Sequence, residues 1–178
     1  MASPQIPTKA ELLEALRSSG REVVEAVRAL PLDSLEEGRY QSGWNGRQIL
    51  AHVASIEWTY PKLFDVAGQA AAGAIGSGEV RRTEPGDAAG TPTRIAQGGI
   101  DGYNERQVAK RAEASAAELL EEFERNRAAT IRAVESADEA LLTRPIRSAG
   151  GITGALSAVL RAVAVDHVRA HARDIAGR

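Results

Sequence analysis

The sequence contains no cysteine among its 178 residues. Disulfide bonds, thiolate metal sites and a cysteine nucleophile are therefore all excluded. A formal net charge of −2 provides no basic field for nucleic acid or anionic membranes. No apolar run approaches the length of a membrane span, and the start MASPQIPTKA lacks the regions of a signal peptide. We therefore expect a cytoplasmic protein that binds neither nucleic acid nor membranes.

Histidine is also scarce, and the positions of the three histidines are the most informative feature of the chain. His167 and His171 stand four apart in the run VDHVRAHARD, and His52 lies in RQILAHVA. Imidazoles at i and i+4 project from one helix face with Cβ atoms about 5–6 Å apart, so they can share one metal ion. Together with His52 they would form a three-histidine site with free coordination positions, as catalysis requires.

Helical periodicity and capping signals predict four main helices and no strands. Four residues are predicted to cap the starts of helical segments: Thr8, Asn45, Ser115 and Thr153. The third helical region begins earlier, near Asp101, and is interrupted just before Ser115. Pro61 should kink the second helix or mark its last turns.

Residues 73–102 are rich in glycine and have little periodicity, so we predict a long crossover between helices two and three. His52 lies about two turns after the start of the second helix, whereas His167 and His171 lie close to the end of the fourth. These side chains can meet only if the two helices run antiparallel, which an up-down-down-up order provides. The sequence thus predicts an all-α four-helix bundle, up-down-down-up, as a single domain over residues 1–178.

The motifs around these histidines resemble those of a known superfamily. WNGRQILAHVA is similar to the W-x-x-x-x-[IL]-L-x-H motif of the DinB-like superfamily, and HVRAH resembles its terminal H-x-x-x-H motif. DGYNERQVAKRAEASAAELLEEFERNRAATIRAV is similar to the third-helix region of these proteins. The superfamily includes YfiT-type metal-dependent hydrolases and the N-terminal domain of mycothiol-dependent maleylpyruvate isomerase. The resemblance extends from Leu12 to Asp174.

This resemblance implies the same up-down-down-up bundle, often a homodimer, with a divalent metal on His52, His167 and His171. Zinc and nickel are the typical metals. It also implies thiol-dependent transferases and isomerases, with hydrolase-like members. We therefore expect a metal-dependent enzyme that acts on a small electrophile with a low-molecular-weight thiol. Either a metal-bound water or a thiolate would be the catalytic group.

Further residues are candidates for roles near the histidines. Asp174 could orient the imidazole of His171, or be a solvated surface charge. Arg127 could bind a substrate carboxylate, or form an ion pair at the edge of the bundle. Four aromatic residues could line a substrate pocket or belong to the core: Trp44, Trp58, Tyr60 and Tyr103.

A non-catalytic helical bundle that binds a ligand or a partner is the alternative function. The sequence shows no recognisable acid–base pair for catalysis. In this alternative the histidines are structural core residues, or they hold a metal that only stabilises the fold.

Overall fold

The fold comes from a computed structural model, which describes residues 6–37, 43–69, 81–82, 91, 93–94, 96 and 98–177. This part of the chain is mostly helical. Its α-helices are α1 (Lys9–Arg28), α2 (Gly46–Glu57), α3 (Lys62–Gly68), α4 (Gly99–Ala109), α5 (Ala116–Ser136), α6 (Glu139–Leu142), α7 (Leu156–Leu160) and α8 (His167–Ile175). A 3₁₀ helix (Leu32–Glu36) follows α1, and a π-helix (Arg161–Asp166) joins α7 to α8. Residues 156–175 therefore form one continuous helical rod.

Three helices begin at the capping boxes that the sequence predicts. Thr8, Asn45 and Ser115 each accept a hydrogen bond from the backbone N–H three residues later, and the side chain at that later position binds the N–H of the cap in return. The second helix ends at Glu57, and α3 begins immediately after Pro61. Local side-chain chemistry thus sets these helix starts.

A small antiparallel sheet, which the sequence analysis did not predict, precedes the last helical rod. Its strands are β1 (Arg81–Arg82), β2 (Pro145–Arg147) and β3 (Ile152–Ala155), in the order β1-β3-β2. The predicted helix cap at Thr153 is wrong, because Thr153 pairs with Arg147 in the sheet and α7 begins at Leu156. Strands of two to four residues are too short to show an alternating pattern in sequence.

Two apolar clusters form the core, and α1, α2, α5 and the rod of residues 156–175 contribute to both. One cluster surrounds Leu12 and Leu160, and the other surrounds Leu50 and Phe123. Helix α2 packs against α5 and α8, and α1 packs against the same two helices. These contacts bring the start of α2 to the end of the chain. The predicted crossover over residues 73–102 lies largely outside the described residues.

None of the described helices is both long enough and apolar enough to cross a membrane.

Candidate metal centre

The three histidines come together where α2 contacts α8. His52, in the second turn of α2, is only 4% exposed. His167 and His171 lie one turn apart on α8, and His167 is the most exposed of the three. The three rings are roughly perpendicular to one another, with centroids 4.4–5.6 Å apart. One nitrogen atom from each residue lies within 4.8 Å of the others, so the predicted cluster of histidines is present in the structure.

The spacing of the imidazole nitrogens fits a shared metal ion. Two ligand atoms on a tetrahedral ion with bonds of about 2.0–2.1 Å are about 3.3–3.4 Å apart. Nε2 of His52 lies 3.3 Å from Nε2 of His167. An N–H···N hydrogen bond between these two rings would also explain that distance, but it would leave Nε2 of His171 buried without a partner among the described residues. A metal ion would satisfy all three nitrogens.

Burial favours the neutral imidazole, which is the form that binds a metal. Desolvation lowers the pKa of His52 well below its usual value, and the charges of His171 and His167 lower it further. Desolvation also lowers the pKa of His171, while the hydrogen bond and the charge of Asp174 act in the opposite direction. For His52 and His171, desolvation therefore favours the uncharged form.

Asp174 is positioned to orient one of these ligands. Its Oδ2 atom lies 3.2 Å from Nδ1 of His171, within the same helix. When Nδ1–H donates to this carboxylate, Nε2 keeps the lone pair that a metal bond needs. His52 has no such carboxylate among the described residues, and its Nδ1 atom is buried without a partner there. The ring of Trp44 packs against His52 instead, with centroids 5.1 Å apart.

A π-helical turn sets the position of His167. The N–H of His167 bonds to the carbonyl of Ala162, five residues earlier, whereas an α-helix would use the carbonyl of Val163. That carbonyl accepts a hydrogen bond of 2.6 Å from the hydroxyl of Tyr60. Burial raises the pKa of Tyr60 well above its usual value, so the hydroxyl keeps its proton. The wider turn rotates the two α8 histidines relative to an α-helix extended from residues 156–160.

A cavity of about 310 Å³ adjoins His52 and His167. Its walls come from α2, α3, α4, the β2–β3 turn, the π-helix and the segment before α4. Much of the wall is apolar: Ile56, Leu63, Ile100, Ile152 and Val163. Tyr60 and Tyr103, both proposed from sequence as pocket residues, also line it. The more exposed face of the histidine cluster is thus reachable by a small molecule.

Two residues predicted to bind substrate do not line this cavity. Trp58 is 39% exposed, and the ammonium of Lys62 lies 3.1 Å from the centre of its ring. Arg127 is 4% exposed and pairs with the fully buried Glu57 at 2.8 Å. The ion pair that the sequence suggested for Arg127 is therefore present, but it lies in the core and not at the edge. Trp44 borders a separate, smaller cavity.

Sequence reasoning missed five polar residues of the cavity wall: Thr59, Arg94, Asp101, Asn104 and Ser148. Arg94 lies in the aperiodic segment before α4, where no pattern assigns a direction to a side chain. Asn104 lies in α4, whose apolar face is too weak to predict which side is buried. Only the tertiary structure brings these residues to the same cavity as the histidines.

The sequence profile of the DinB superfamily matches residues 15–175. The chain belongs to the DinB superfamily. The matched region contains all three histidines and Asp174, and it confirms the resemblance carried by the WNGRQILAHVA and HVRAH motifs. Searches among curated proteins and among solved structures each returned no match. For this DinB-superfamily chain the histidine cluster is the candidate functional site.

Proposed function

We propose that this protein is a metal-dependent enzyme whose metal is held by His52, His167 and His171. The observation that carries the proposal is the convergence of three imidazoles beside a cavity, with Nε2 of His171 buried and unpartnered among the described residues. A zinc or nickel ion bound by three imidazoles would keep coordination positions free and would supply Lewis acidity to a water or a thiol.

The surrounding residues of the chain have defined tasks in this proposal. Asp174 holds the His171 tautomer that leaves Nε2 free, and Tyr60 fixes the turn that presents His167. Trp44 covers one side of His52. The apolar wall of the cavity excludes water from the substrate, which strengthens electrostatic interactions at the site.

Within this class we propose a thiol-dependent transfer or isomerisation of a small electrophile, with hydrolysis as the related alternative. The chain has no cysteine, so a sulfur nucleophile must come from a low-molecular-weight co-substrate. A cavity of about 310 Å³ is at the small end of the range of about 300–1,000 Å³ for ligand sites. This size favours a small substrate.

We also propose an up-down-down-up bundle formed by α1, α2, α5 and the rod of residues 156–175. The contacts of α1 and α2 with both α5 and α8 support this arrangement. The approach of His52, early in α2, to residues near the end of the last helix supports an antiparallel pair. A cytoplasmic homodimer completes the proposal, and light scattering of the purified protein would measure the mass in solution.

Elemental analysis of protein purified without a histidine tag tests the metal. We expect about one zinc or nickel ion per chain, and its loss in His52→Ala. The matched control is Arg173→Ala, an exposed residue of the ligand-bearing helix, which should keep the metal. A wild-type protein that contains no metal and takes up neither zinc nor nickel would refute the proposal.

Turnover is tested separately with metal-loaded protein. Glutathione and chlorodinitrobenzene serve as a first thiol and electrophile, followed by other thiols and electrophiles. We expect thiol consumption that requires metal and is abolished in His52→Ala but not in Arg173→Ala.

The second candidate function is a non-catalytic bundle with a structural metal. It is favoured by the cavity wall, where the described residues include a single carboxylate, Asp101, and no acid–base pair besides the histidines. Thermal melts with and without chelator distinguish the two functions. Metal that raises Tm while no thiol or electrophile is turned over would support this candidate.

A further inference from the structure

One arginine of the cavity wall, Arg94, is held through its backbone. The N–H of Arg94 donates to the carbonyl of Arg147 at 3.0 Å, and the adjacent Thr93 forms a bridge with the same residue. Arg94 lines the cavity together with His52 and His167. The hydrogen bond to β2 therefore holds the backbone of this cation at the wall of the candidate site.

Among the described residues, no carboxylate oxygen lies within 4.0 Å of the guanidinium of Arg94. Asp101 lines the same cavity but is exposed and forms no ion pair with it. A guanidinium without a carboxylate partner is suited to bind a planar anion, because it can donate two parallel hydrogen bonds to it.

A second cation, Lys62, interacts with the charge of Arg94 although it does not line the cavity. Desolvation lowers the pKa of Lys62, and the positive charge of Arg94 lowers it further, while Asp65 only partly opposes these effects. The ammonium of Lys62 lies over the ring of Trp58 and has no carboxylate within ion-pair distance among the described residues. Two neighbouring positive charges, neither of them in an ion pair with a carboxylate among the described residues, attract a negatively charged ligand.

Two buried polar atoms of the cavity residues also lack partners in the described structure, namely the hydroxyl of Tyr103 and Oδ1 of Asn104. A phenolic hydroxyl donates readily to a carboxylate oxygen. The amide of Asn104 can accept from a substrate O–H or N–H, or donate if its two ends are exchanged. Unsatisfied buried groups of this kind are costly unless a ligand binds them.

We propose that the cavity binds a small organic acid with an apolar body, and that Arg94 binds its carboxylate. Tyr103 donates a further hydrogen bond to this group, and Asn104 binds a polar group next to it. The apolar wall of Ile100 and Ile152 contacts the body of the ligand. The proposal that this acid is the substrate of the site rests on the proposed function.

Calorimetric titration with hexanoate and with its neutral counterpart hexanamide tests the assignment. Each titration is carried out on metal-loaded and on chelator-treated protein. We expect hexanoate to bind at least tenfold more tightly than hexanamide in both forms. Arg94→Gln should weaken hexanoate binding about ten- to a hundredfold, as for loss of a charge-assisted hydrogen-bonded pair, and leave hexanamide unchanged.

Two further variants and a control sharpen the test. Arg94→Lys, which keeps the charge but loses the guanidinium, should give an intermediate affinity, and it replaces Arg94→Gln if that variant does not fold. Tyr103→Phe should weaken hexanoate binding by less than Arg94→Gln does. Arg132→Gln, an exposed arginine on α5, should have no effect.

Three results would overturn the assignment. They are no measurable hexanoate binding by the wild type, unchanged binding in the Arg94 variants, and hexanoate binding that requires the metal and not Arg94. Metal content is measured on every sample. A failure of the proposed function shows as wild-type protein without metal, whereas a failure of this assignment leaves the metal in place and Arg94 without effect.

Discussion

Two polar clusters lie between the helices, and they differ in how far their hydrogen bonds are satisfied. Where α1, α2 and α5 meet, Arg127 donates to one carboxylate oxygen of Glu57 at 2.8 Å, and Thr130 donates to the other at 2.9 Å. Arg127 also donates to Ser19, and Nε is its one nitrogen without a partner. Where α2 meets α8, Nδ1 of His52 and Nε2 of His171 are buried without a hydrogen-bond partner among the described residues.

The satisfied cluster has a structural role, whereas the unsatisfied one points to a bound ligand. The Glu57–Arg127 cluster places opposite charges together. This cluster needs no ligand. The histidine cluster joins three groups of the same kind, of which only His52 is almost fully buried, and they have little reason to converge unless a cation binds them. Substitutions in the Glu57–Arg127 cluster should therefore lower stability, whereas substitutions in the histidine cluster should lower metal affinity.

The largest effect is expected for Arg127→Met, which leaves the carboxylate of Glu57 buried without its cation. Burial already raises the pKa of Glu57, and the arginine opposes that shift. We expect a loss of about 3–5 kcal/mol in the free energy of unfolding, measured by urea denaturation. Arg132→Met, at an exposed position of the same helix, should cost less than about 0.5 kcal/mol. A cost below about 1 kcal/mol for Arg127→Met would mean that the pair is not structural.

His52→Phe should lower metal affinity and leave the stability of the metal-free protein nearly unchanged. It removes a ligand and should lower zinc affinity by more than about a hundredfold, since loss of an outer partner alone costs about 10–100-fold. The stability of the metal-free protein should change by less than about 1 kcal/mol or rise, because an unpaired polar atom is replaced by an apolar ring. Competition with a chromogenic chelator measures the affinity. A large loss in the stability of the metal-free protein would show that His52 has a structural role.

Asp174→Asn should have a smaller effect on the same site. The amide no longer supplies the negative charge that makes His171 a better ligand, so zinc affinity should fall about 10–100-fold. Asp166→Asn is the matched control, because Asp166 adjoins His167 in sequence but pairs with Arg161. Equal losses in the two variants would show a general charge effect and no orienting role for Asp174.

Tyr60→Phe should cost about 1 kcal/mol of stability through loss of the bond to Val163. Zinc affinity should fall as well, because the turn before His167 loses its support. Tyr103→Phe, which lacks this contact, should leave zinc affinity unchanged. If Tyr60→Phe lowers stability alone, the hydroxyl does not position His167.

The smallest effect is a pH dependence of the metal-free protein. The pKa of His52 and that of His171 are lowered in the folded state, so below about pH 6.5 the unfolded chain takes up protons that the folded chain does not. Stability should therefore fall as pH decreases through this value, and His52→Phe should reduce the slope. Urea denaturation between pH 7.5 and 5.5, in steps of about half a unit, measures it. A slope that is unchanged in His52→Phe would contradict the assignment.

The sequence predicts those features that depend on short-range chemistry. The capping boxes at Thr8, Asn45 and Ser115 involve residues three apart, and the spacing of His167 and His171 is itself helical. The meeting of His52 with this pair is also predicted, from a crossover that would let the two helices run antiparallel, and the histidine cluster is present in the structure.

Other features depend on contacts between distant segments and have no local signal. Strand β3 forms because it pairs with β2 and β1, and it replaces the helix cap predicted at Thr153. The π-helix involves Tyr60, about 100 residues earlier in the chain. The core position of Arg127 depends on Glu57 in α2 and Ser19 in α1. The sequence contains these residues, but no pattern connects them.

The central claim is that the histidine nitrogens share one cation. Crystals of the zinc-loaded protein, measured at the zinc absorption edge, test it most directly through the anomalous difference map. We predict one peak at about 2.0–2.1 Å from a nitrogen of each of His52, His167 and His171. A map with no peak among these rings, or with zinc bound elsewhere on the chain, would contradict the account.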